Sequence, residues 1–296
     1  MLTEREQEII RRWNEFSMRP GQRTIQEERK SLADYFEEFN ANPPAVGAYH
    51  EAVELKSGLR ADVAVPSGDG PHPIVIYIHG GAWALGSPAT HRKLVKQFAA
   101  SGYLTIAPDY RLAPEHPFPA GFDDCVFTAQ WAAENAKRYS GDATRMAMGG
   151  DSAGGNLTAA VLSSLSSRGR GPKFNAAILI YGVFDFAGLV AMAKEVAEPL
   201  AQAYLASNYP AQLEDPRVSP IRAIKPGAMP PSFIIAGSAD PIGGESRTIA
   251  DAMNRAGIEN ELHIMDEMPH AFMQMSELTA CREGLRLMFD FLRRHV

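Results

Sequence analysis

A serine stands among glycines where one apolar run of the chain ends and a helix-forming run begins. The segment reads MAMGGDSAGG, and Gly150, Ser152 and Gly154 in it match the pattern G-x-S-x-G. Glycines at these two positions let a strand and the following helix approach closely, so the serine between them lies on a sharp, strained turn. The pattern predicts a nucleophilic serine, and a plain glycine turn is the alternative. The amide of Ala153 would lie at the helix start, where N–H groups are unpaired and the dipole favours an anion.

A second glycine-rich turn, HGGAW at residues 79–83, follows the apolar run IVIYI. Successive glycines allow backbone N–H groups to turn toward a ligand, and such groups stabilise the anion that forms in acyl transfer. We therefore predict an oxyanion hole built from Gly80, Gly81 and Ala82 on this turn and from Ala153 beside the serine. A strand-end turn with no further role is the alternative.

A nucleophilic serine needs a base, and the base needs a group that orients it. His270, in MPHAF, is the late histidine that falls on a loop after a strand, and we predict it as the base. His263 lies inside an alternating strand and is expected to be structural, whereas His295 is the penultimate residue and is expected to be frayed. Asp240, which ends FIIAGSAD, is predicted as the acid. Asp185, which ends ILIYGVFD, is the rival, but it leads directly into an insert.

Two apolar residues follow predicted site residues along the chain. Trp83 comes after the oxyanion turn and Ile242 comes after the predicted acid. We predict that both wall the substrate pocket, with packing in the hydrophobic core as the alternative.

Strand-like apolar runs alternate with helix-like runs from about residue 53 to the end of the chain. This alternation predicts an α/β fold with a mostly parallel sheet, right-handed crossovers and flanking helices. The predicted nucleophile, acid, base and oxyanion turn then each follow a different strand at its carboxyl end, where ligands bind in open α/β sheets.

Two segments stand outside this alternation. Residues 1–45 contain two amphipathic helix patterns, and residues 186–212 form a helical insert that is long for a simple crossover. We predict that both segments form a helical cap over a catalytic domain of residues 46–185 and 213–296. A longer crossover helix is the alternative for the insert.

Composition limits the classes of partner. The 296 residues carry a net charge of −6, which argues against a nucleic-acid partner, because phosphate contacts require clustered Lys and Arg. The sequence contains no run of 18 apolar residues, so we predict no stable membrane insertion. The two cysteines, Cys125 and Cys281, have no zinc-site spacing. They are expected to be buried thiols in a reducing compartment, so we predict a cytoplasmic protein without a bound metal.

Together the motifs resemble those of the hormone-sensitive-lipase-like esterases, bacterial family IV. HGGAW, DYRLAPEHPFPA, GDSAGG, DPRVSPI, SADPI and PHAF occur in the family's order, over about residues 50–296. The elbow is similar to that of the GDSAG subgroup. The resemblance implies an α/β-hydrolase fold with a helical cap, no cofactor, and a homodimer. It also implies hydrolysis of small-molecule esters with short- to medium-chain acyl groups.

The resemblance also implies a role for each matching residue. The triad consists of Ser152 as nucleophile, Asp240 as acid and His270 as base. The oxyanion donors are the amides of Gly81, Ala82 and Ala153, while Gly80 and His79 shape their loop. The segment DYRLAPEHPFPA, residues 109–120, is expected to be structural.

Three positions depart from the family pattern. Ala82 replaces a third glycine, which restricts positive φ at an oxyanion donor. Ala271 replaces the glycine after the histidine, which puts the position of the loop that carries His270 in question. Gly244 replaces an acidic residue, whereas Glu245 is retained.

Two other functions fit the same motifs. An amidase or arylformamidase would use the same triad on an activated amide. A non-catalytic small-molecule receptor on this fold would lack the triad histidine, so the presence of His270 argues against it.

Overall fold

The computed structural model describes residues 2–19, 23–169 and 171–296, with the backbone alone at Val196. Strands and helices alternate as the apolar runs predict. The strands are β1 (Ala48–Lys56), β2 (Leu59–Val65), β3 (His72–Ile78), β4 (Leu104–Asp109), β5 (Gly141–Asp151), β6 (Ala176–Ile180), β7 (Ser232–Gly237) and β8 (Asn260–Met265). The helices are α1 (Glu4–Ser17), α2 (Ile25–Asn40), α3 (Arg92–Ala100), α4 (Ala120–Asn135), α5 (Ala153–Arg168), α6 (Phe186–Met192), α7 (Lys194–Leu205), α8 (Gly244–Arg255) and α9 (Thr279–His295).

Within the described residues the strands form one sheet in the order β1-β2-β4-β3-β5-β6-β7-β8. Strand β2 runs antiparallel to both β1 and β4, and the pairs from β4 to β8 are parallel. The prediction of an α/β fold with a mostly parallel sheet is confirmed. None of the helices found in these residues is both long and apolar enough to cross a bilayer.

The central strands are apolar on both faces because helices cover both sides of the sheet. In β3, Ile74, Ile76 and Ile78 belong to a core cluster shared with α4, α5 and α8. Val75 and Tyr77, which point the other way, belong to a second cluster shared with α1, α2, α3 and α9. Continuous apolar runs are typical of parallel strands buried in this way.

Helices α1 and α2 occupy the predicted N-terminal segment, and both begin with a capping box. Thr3 pairs with Glu6, and Thr24 pairs with Glu27, so each threonine and glutamate satisfy each other's backbone N–H. The two helices pack through an aromatic cluster that includes Trp13 and Phe36, with ring centroids 5.7 Å apart.

The insert of residues 186–212 holds α6, α7 and a short 3₁₀ turn. Asp185 caps α6, because its Oδ1 accepts a hydrogen bond from the N–H of Gly188 at 3.0 Å. Tyr204 and Phe186 of the insert are buried on the body of the protein.

Ion pairs hold the 109–120 segment in place, in agreement with the structural role expected for it. Arg111 donates to both oxygens of the fully buried Asp124 at 2.7 and 3.0 Å. Glu115 accepts two hydrogen bonds from Arg29 of α2, at 2.8 and 2.7 Å. This segment therefore connects α2 to the loops at the carboxyl edge of the sheet.

Glu6 fastens α1 to the body of the protein. Its Oε1 accepts from the N–H of Thr279 at the start of α9, at 2.8 Å, and its Oε2 accepts from the N–H of Thr3 at 2.9 Å. These backbone hydrogen bonds to Thr3 and Thr279 lower the pKa of Glu6 from 4.5 to about 2. Because the folded-state pKa is depressed, the stabilisation is complete above the unfolded value and is lost as pH falls through the folded one.

We expect Glu6→Gln to lower the free energy of unfolding by about 1–3 kcal/mol at neutral pH, since hydrogen bonds to charged groups contribute that much. The deficit should shrink as the pH falls from about 4.5 toward 2, where wild-type Glu6 becomes protonated. Urea denaturation across this range measures it, with Glu4→Gln on the exposed side of the same helix as control. A pH-independent deficit would contradict the assignment.

Candidate active site

The backbone at Ser152 is strained. Strand β5 ends at Asp151 and α5 begins at Ala153, so the direction of the chain reverses at one residue. Ser152 adopts φ 53° and ψ −118°, a conformation that non-glycine residues rarely occupy. Its N–H donates to Ile180 O at 2.9 Å, and its carbonyl accepts from Asn156 N at 3.1 Å, which holds the turn in place. Strain of this kind persists only where surrounding contacts impose it, and it is concentrated at functional sites.

The flanking glycines are required by close backbone contact. A Cβ at Gly154 would lie 2.0 Å from the carbonyl oxygen of Ile78, and one at Gly150 would lie 2.4 Å from the same atom. Both distances are far inside van der Waals contact. The elbow therefore passes against the end of β3 with room only for hydrogen at these two positions.

Asp240, His270 and Ser152 form a continuous chain of hydrogen bonds. His270 Nδ1 lies 2.8 Å from Asp240 Oδ2, and His270 Nε2 lies 2.9 Å from Ser152 Oγ. A carboxylate accepts, so the proton of the neutral ring is assigned to Nδ1, which leaves Nε2 to accept the serine hydroxyl. The Asp240 side chain is fully buried, and its other oxygen accepts from Ile242 N at 2.9 Å. This arrangement can transfer the Ser152 proton to His270.

The loop that carries His270 keeps this geometry with alanine in place of glycine. Ala271 adopts the left-handed conformation, φ 66° and ψ 9°, that the family's glycine would adopt freely. His270 is nevertheless within hydrogen-bond distance of both partners.

The other candidate residues have structural partners. Besides capping α6, Asp185 pairs with Arg222 at 3.1 Å. His263 packs against Phe233, with ring centroids 5.0 Å apart, and His295 packs against Phe291. None of the three is a hydrogen-bond partner of Ser152 or His270 in the described residues.

Peptide planarity fixes the direction of two N–H groups on the 79–82 turn. The C=O of one residue and the N–H of the next point in opposite directions across a trans peptide. Gly80 O is bonded to His79 Nδ1 at 2.8 Å, so the N–H of Gly81 points away from that ring. Gly81 O accepts from Leu85 N at 2.7 Å and from Ala84 N at 3.0 Å, so the N–H of Ala82 also points outward.

His79 acts as a neutral donor in this turn. Burial, with nearby His91, lowers the pKa of His79 to about 3, so the ring is uncharged near neutral pH. Because a carbonyl oxygen only accepts, the ring proton lies on Nδ1, facing Gly80 O.

The amides of Gly81, Ala82 and Ala153 donate to no other group in the described part of the chain. Gly81 and Ala82 line the cavity in front of Ser152, and Ala153 is the first residue of α5. Ala82 has φ 54°, the left-handed backbone in which alanine is strained and the family's glycine is not. The arrangement can bind a developing oxyanion with three donors.

Gly80, which was included in the predicted oxyanion hole, is not one of its donors. Its N–H donates to Asp151 Oδ1 at 3.0 Å, so this amide is already occupied and cannot serve as an oxyanion donor. A Cβ at Gly80 would lie 2.4 Å from Asp151 Oδ2, which explains the glycine. Gly80 shapes the turn, and the donors are the two residues that follow it.

Asp151, for which the sequence pattern indicates no role, joins the loops of the site. Its carboxylate accepts from Gly80 N, from Tyr77 Oη at 2.8 Å and from Gln274 Nε2 at 3.0 Å, and His91 Nε2 lies 3.1 Å away. Burial opposes its ionisation, but His91 and the hydrogen bonds outweigh burial and lower the pKa of Asp151. A charged residue inside a glycine run was the only sequence signal for this role.

Glu245, the acidic residue retained from the family pattern, ties α8 to the turn after β6. Its Oε2 accepts from the N–H groups of Phe184 at 2.7 Å and Asp185 at 2.6 Å. Burial raises the pKa of Glu245 above its usual range. The neighbouring residue Gly244, where the sequence departs from the family pattern, has open space around the position that a Cβ would occupy.

A cavity of about 280 Å³ opens onto Ser152 and His270. Helices α1 and α2 supply one wall and the loops of the sheet supply the other. Trp13, Phe16, Leu32 and Phe36 give the first wall an apolar surface, with Arg19 and Glu28 beside them. The described residues of the insert 186–212 contribute nothing to this lining.

Trp83 and Ile242, predicted to wall the pocket, are not among the residues that line this cavity. Trp83 is 2% exposed and stacks against Phe186 and Tyr204, with ring centroids 4.9 and 4.5 Å apart. Ile242 is half-buried and packs on the core. The alternative interpretation, core packing, is correct for both. Trp83 instead connects the oxyanion turn to the insert.

Across the described ranges, no three His, Cys, Asp or Glu side chains are grouped so that they could hold a metal ion. Cys125 and Cys281 are both buried free thiols.

Residues 75–274 match a protein family described as having the alpha/beta hydrolase fold. The chain belongs to the α/β hydrolase fold family. Carboxylesterase NlhH of Mycobacterium tuberculosis is 33% identical over 217 residues, which cover 69% of this chain and 67% of that protein. An ethyl acetate hydrolase of Pseudomonas putida is 28% identical over 234 residues, covering 75% of this chain and 73% of the relative.

A solved structure of an esterase from the bacterial hormone-sensitive lipase family superposes with a TM-score of 0.84 at 27% identity. The superposition covers 100% of this chain and 99% of that one. The resemblance to hormone-sensitive-lipase-like esterases is therefore confirmed, while membership of the GDSAG subgroup stays a prediction.

We expect Gly154→Ala to lower the free energy of unfolding by about 3 kcal/mol or more, because the new Cβ would overlap the backbone of Ile78. Gly244→Ala is the matched control. It has open space around its Cβ and lies at the start of a helix, so its effect should be within about 1 kcal/mol and favourable. Chemical denaturation compares the two. Wild-type stability and activity in Gly154→Ala would contradict the packing described for the elbow.

Proposed function

We propose that the protein is a serine carboxylesterase that hydrolyses short- to medium-chain acyl esters. The observation that carries the proposal is the hydrogen-bonded chain from Asp240 through His270 to Ser152, beside three N–H groups that have no partner among the described residues. The carboxylesterase relative and the hormone-sensitive-lipase-family structure support the same chemistry.

In the first half-reaction, Ser152 Oγ attacks the ester carbonyl carbon while His270 Nε2 takes its proton. Buried Asp240 keeps the ring oriented and stabilises the imidazolium that forms. The carbonyl oxygen becomes an oxyanion held by the amides of Gly81, Ala82 and Ala153. Collapse of this intermediate breaks the C–O bond to the alcohol, which leaves with the proton from His270.

In the second half-reaction, a water molecule replaces the alcohol. His270 takes a proton from water as its oxygen attacks the acyl-enzyme carbonyl, and the same three amides hold the second oxyanion. The bond to Ser152 Oγ then breaks, the serine recovers its proton from His270, and the carboxylic acid departs. No cofactor takes part in this sequence.

The cavity supports the substrate class. Its apolar wall, built from Trp13, Phe16, Leu32 and Phe36, suits an alkyl or aryl group. A volume of about 280 Å³ is small for a ligand pocket and favours short acyl groups over long ones. The ethyl acetate hydrolase relative is named for an ester of a two-carbon acid.

We further propose that helices α1 and α2 cap the site directly, and that the insert belongs to the same cap through its packing on Trp83, outside the cavity lining. We also propose a cytoplasmic location, from the buried free thiols, and homodimer formation, from the family resemblance. Cell fractionation and sedimentation measurements test these two points.

Ser152→Ala should abolish hydrolysis of p-nitrophenyl butyrate, since removing the nucleophile of such a triad costs about 10⁶-fold in kcat. An organophosphate should label the wild-type serine and leave the variant unlabelled, as mass spectrometry can show. Wild-type turnover in Ser152→Ala would contradict the mechanism.

Across p-nitrophenyl esters of increasing chain length, kcat/KM should peak at a short acyl chain, whereas undiminished rates on long chains would contradict the proposed substrate class.

A further inference from the structure

One peptide group of the oxyanion turn is held from both sides. The carbonyl oxygen of His79 accepts a hydrogen bond from Tyr110 Oη at 2.9 Å. The N–H of the same peptide, which belongs to Gly80, donates to Asp151 Oδ1 at 3.0 Å. Tyr110 lies just after β4 and Asp151 ends β5, so two strands on either side of β3 contribute one partner each.

Tyr110 contacts His79 through its ring as well as through its hydroxyl. Its side chain is 2% exposed, and its ring stacks on His79 with centroids 4.3 Å apart and planes 18° from parallel. Burial raises the pKa of Tyr110 well above its ordinary value, so the hydroxyl stays protonated and remains a donor. The ring and the hydroxyl thus contact both the side chain and the carbonyl of the same histidine.

Asp151 is held just as firmly on the other side. Tyr77 comes from β3, His91 from the turn before α3, and Gln274 from the loop that follows His270, and all three contact its carboxylate. The side chain has little freedom to rotate, so the acceptor for Gly80 N–H occupies a fixed position. The same carboxylate also connects the oxyanion turn to the loop of the base.

We propose that Tyr110 and Asp151 are positioning residues for the oxyanion hole, and that they act by clamping the His79–Gly80 peptide. The proposal presupposes the esterase mechanism above. Neither side chain is assigned contact with the reacting atoms. Both act through the backbone on the amides of Gly81 and Ala82.

The clamp matters because glycines give the turn it holds conformational freedom and because part of its backbone is strained. Two glycines follow His79, and glycine permits rotations about φ and ψ that would reverse a peptide group. Ala82 and Trp83 have φ values of 54° and 58°, which cost free energy at non-glycine residues. Without fixed partners the turn could relax to conformations in which these N–H groups no longer face the substrate carbonyl.

The test is Tyr110→Phe, which removes one hydroxyl and keeps the ring that stacks on His79. We expect kcat for p-nitrophenyl butyrate to fall about 5- to 50-fold, less than the ~100-fold or greater loss for a missing oxyanion donor. KM should change less than about twofold, because the clamp acts on the transition state. The affinity for a trifluoromethyl ketone, which binds as an oxyanion, should fall by the same factor as kcat/KM.

Tyr204→Phe is the matched control. Tyr204 is also a buried tyrosine beside the oxyanion turn, where it stacks on Trp83, but its hydroxyl has no hydrogen-bond partner in the described residues. Its kcat and inhibitor affinity should equal those of the wild type. All rates are expressed per active site titrated with an organophosphate, so that a partly unfolded sample does not count as a slow enzyme.

A second pair of variants keeps the proposal testable if Tyr110→Phe is unstable. Asp151→Ala removes the acceptor for Gly80 N–H and should lower kcat strongly, whereas Asp151→Asn retains an acceptor oxygen and should restore a large part of it. Wild-type kcat and inhibitor affinity per titrated site in both Tyr110→Phe and Asp151→Ala would overturn the proposal. Absence of ester hydrolysis or organophosphate labelling in the wild type would instead overturn the proposed function.

Discussion

A trans peptide points its C=O and N–H in opposite directions, and the proposed oxyanion hole depends on this constraint. The turn after β3 presents two N–H groups to the cavity because the carbonyls of Gly80 and Gly81 are bonded to groups on the far side. His79 of the turn supplies the first of these bonds, and Ala84 and Leu85, directly after the turn, supply the others. The segment HGGAWAL, residues 79–85, thus orients its own donors, provided that its first peptide group is anchored.

The anchors come from elements far apart in the chain. Tyr110 follows β4 and Asp151 ends β5, and these two strands are the neighbours of β3 in the sheet. Gln274 reaches Asp151 from the loop that follows β8, the edge strand. The elbow at Ser152 depends on the same strand, since Gly150 and Gly154 pack against the carbonyl of Ile78. Nucleophile, base and oxyanion turn are therefore positioned by one strand end and by the hydrogen bonds around it. This arrangement strains the backbone at Ser152, Ala82 and Ala271, which have φ values between 53° and 66°.

The sequence alone predicts the fold and the three residues of the hydrogen-bonded chain. Ser152, Asp240 and His270 each follow a strand-like apolar run, and the carboxyl ends of parallel strands meet at one edge, so their proximity follows from the pattern.

Side-chain and amide partners could not be predicted in the same way. Trp83 and Ile242 follow site residues in the chain, but the direction of a side chain depends on what packs against it, and Phe186 and Tyr204 cover Trp83 from a distant segment. Gly80 was included in the predicted oxyanion hole because the pattern does not show that Asp151 occupies its N–H. The role of Asp151 depends on its contacts with strand β3, the oxyanion turn, the turn before α3 and the loop after His270, which no local pattern shows.

The most direct test of the account is a crystal structure of the protein after Ser152 has reacted with an alkyl p-nitrophenyl phosphonate. The phosphoryl oxygen of the adduct represents the oxyanion of the transition state. The account predicts that this oxygen lies about 2.7–3.1 Å from the amide nitrogens of Gly81, Ala82 and Ala153. It also predicts that Gly80 N–H remains on Asp151. A phosphoryl oxygen that faces solvent, or a turn in which the Gly80 or Gly81 carbonyl faces the adduct, would contradict it.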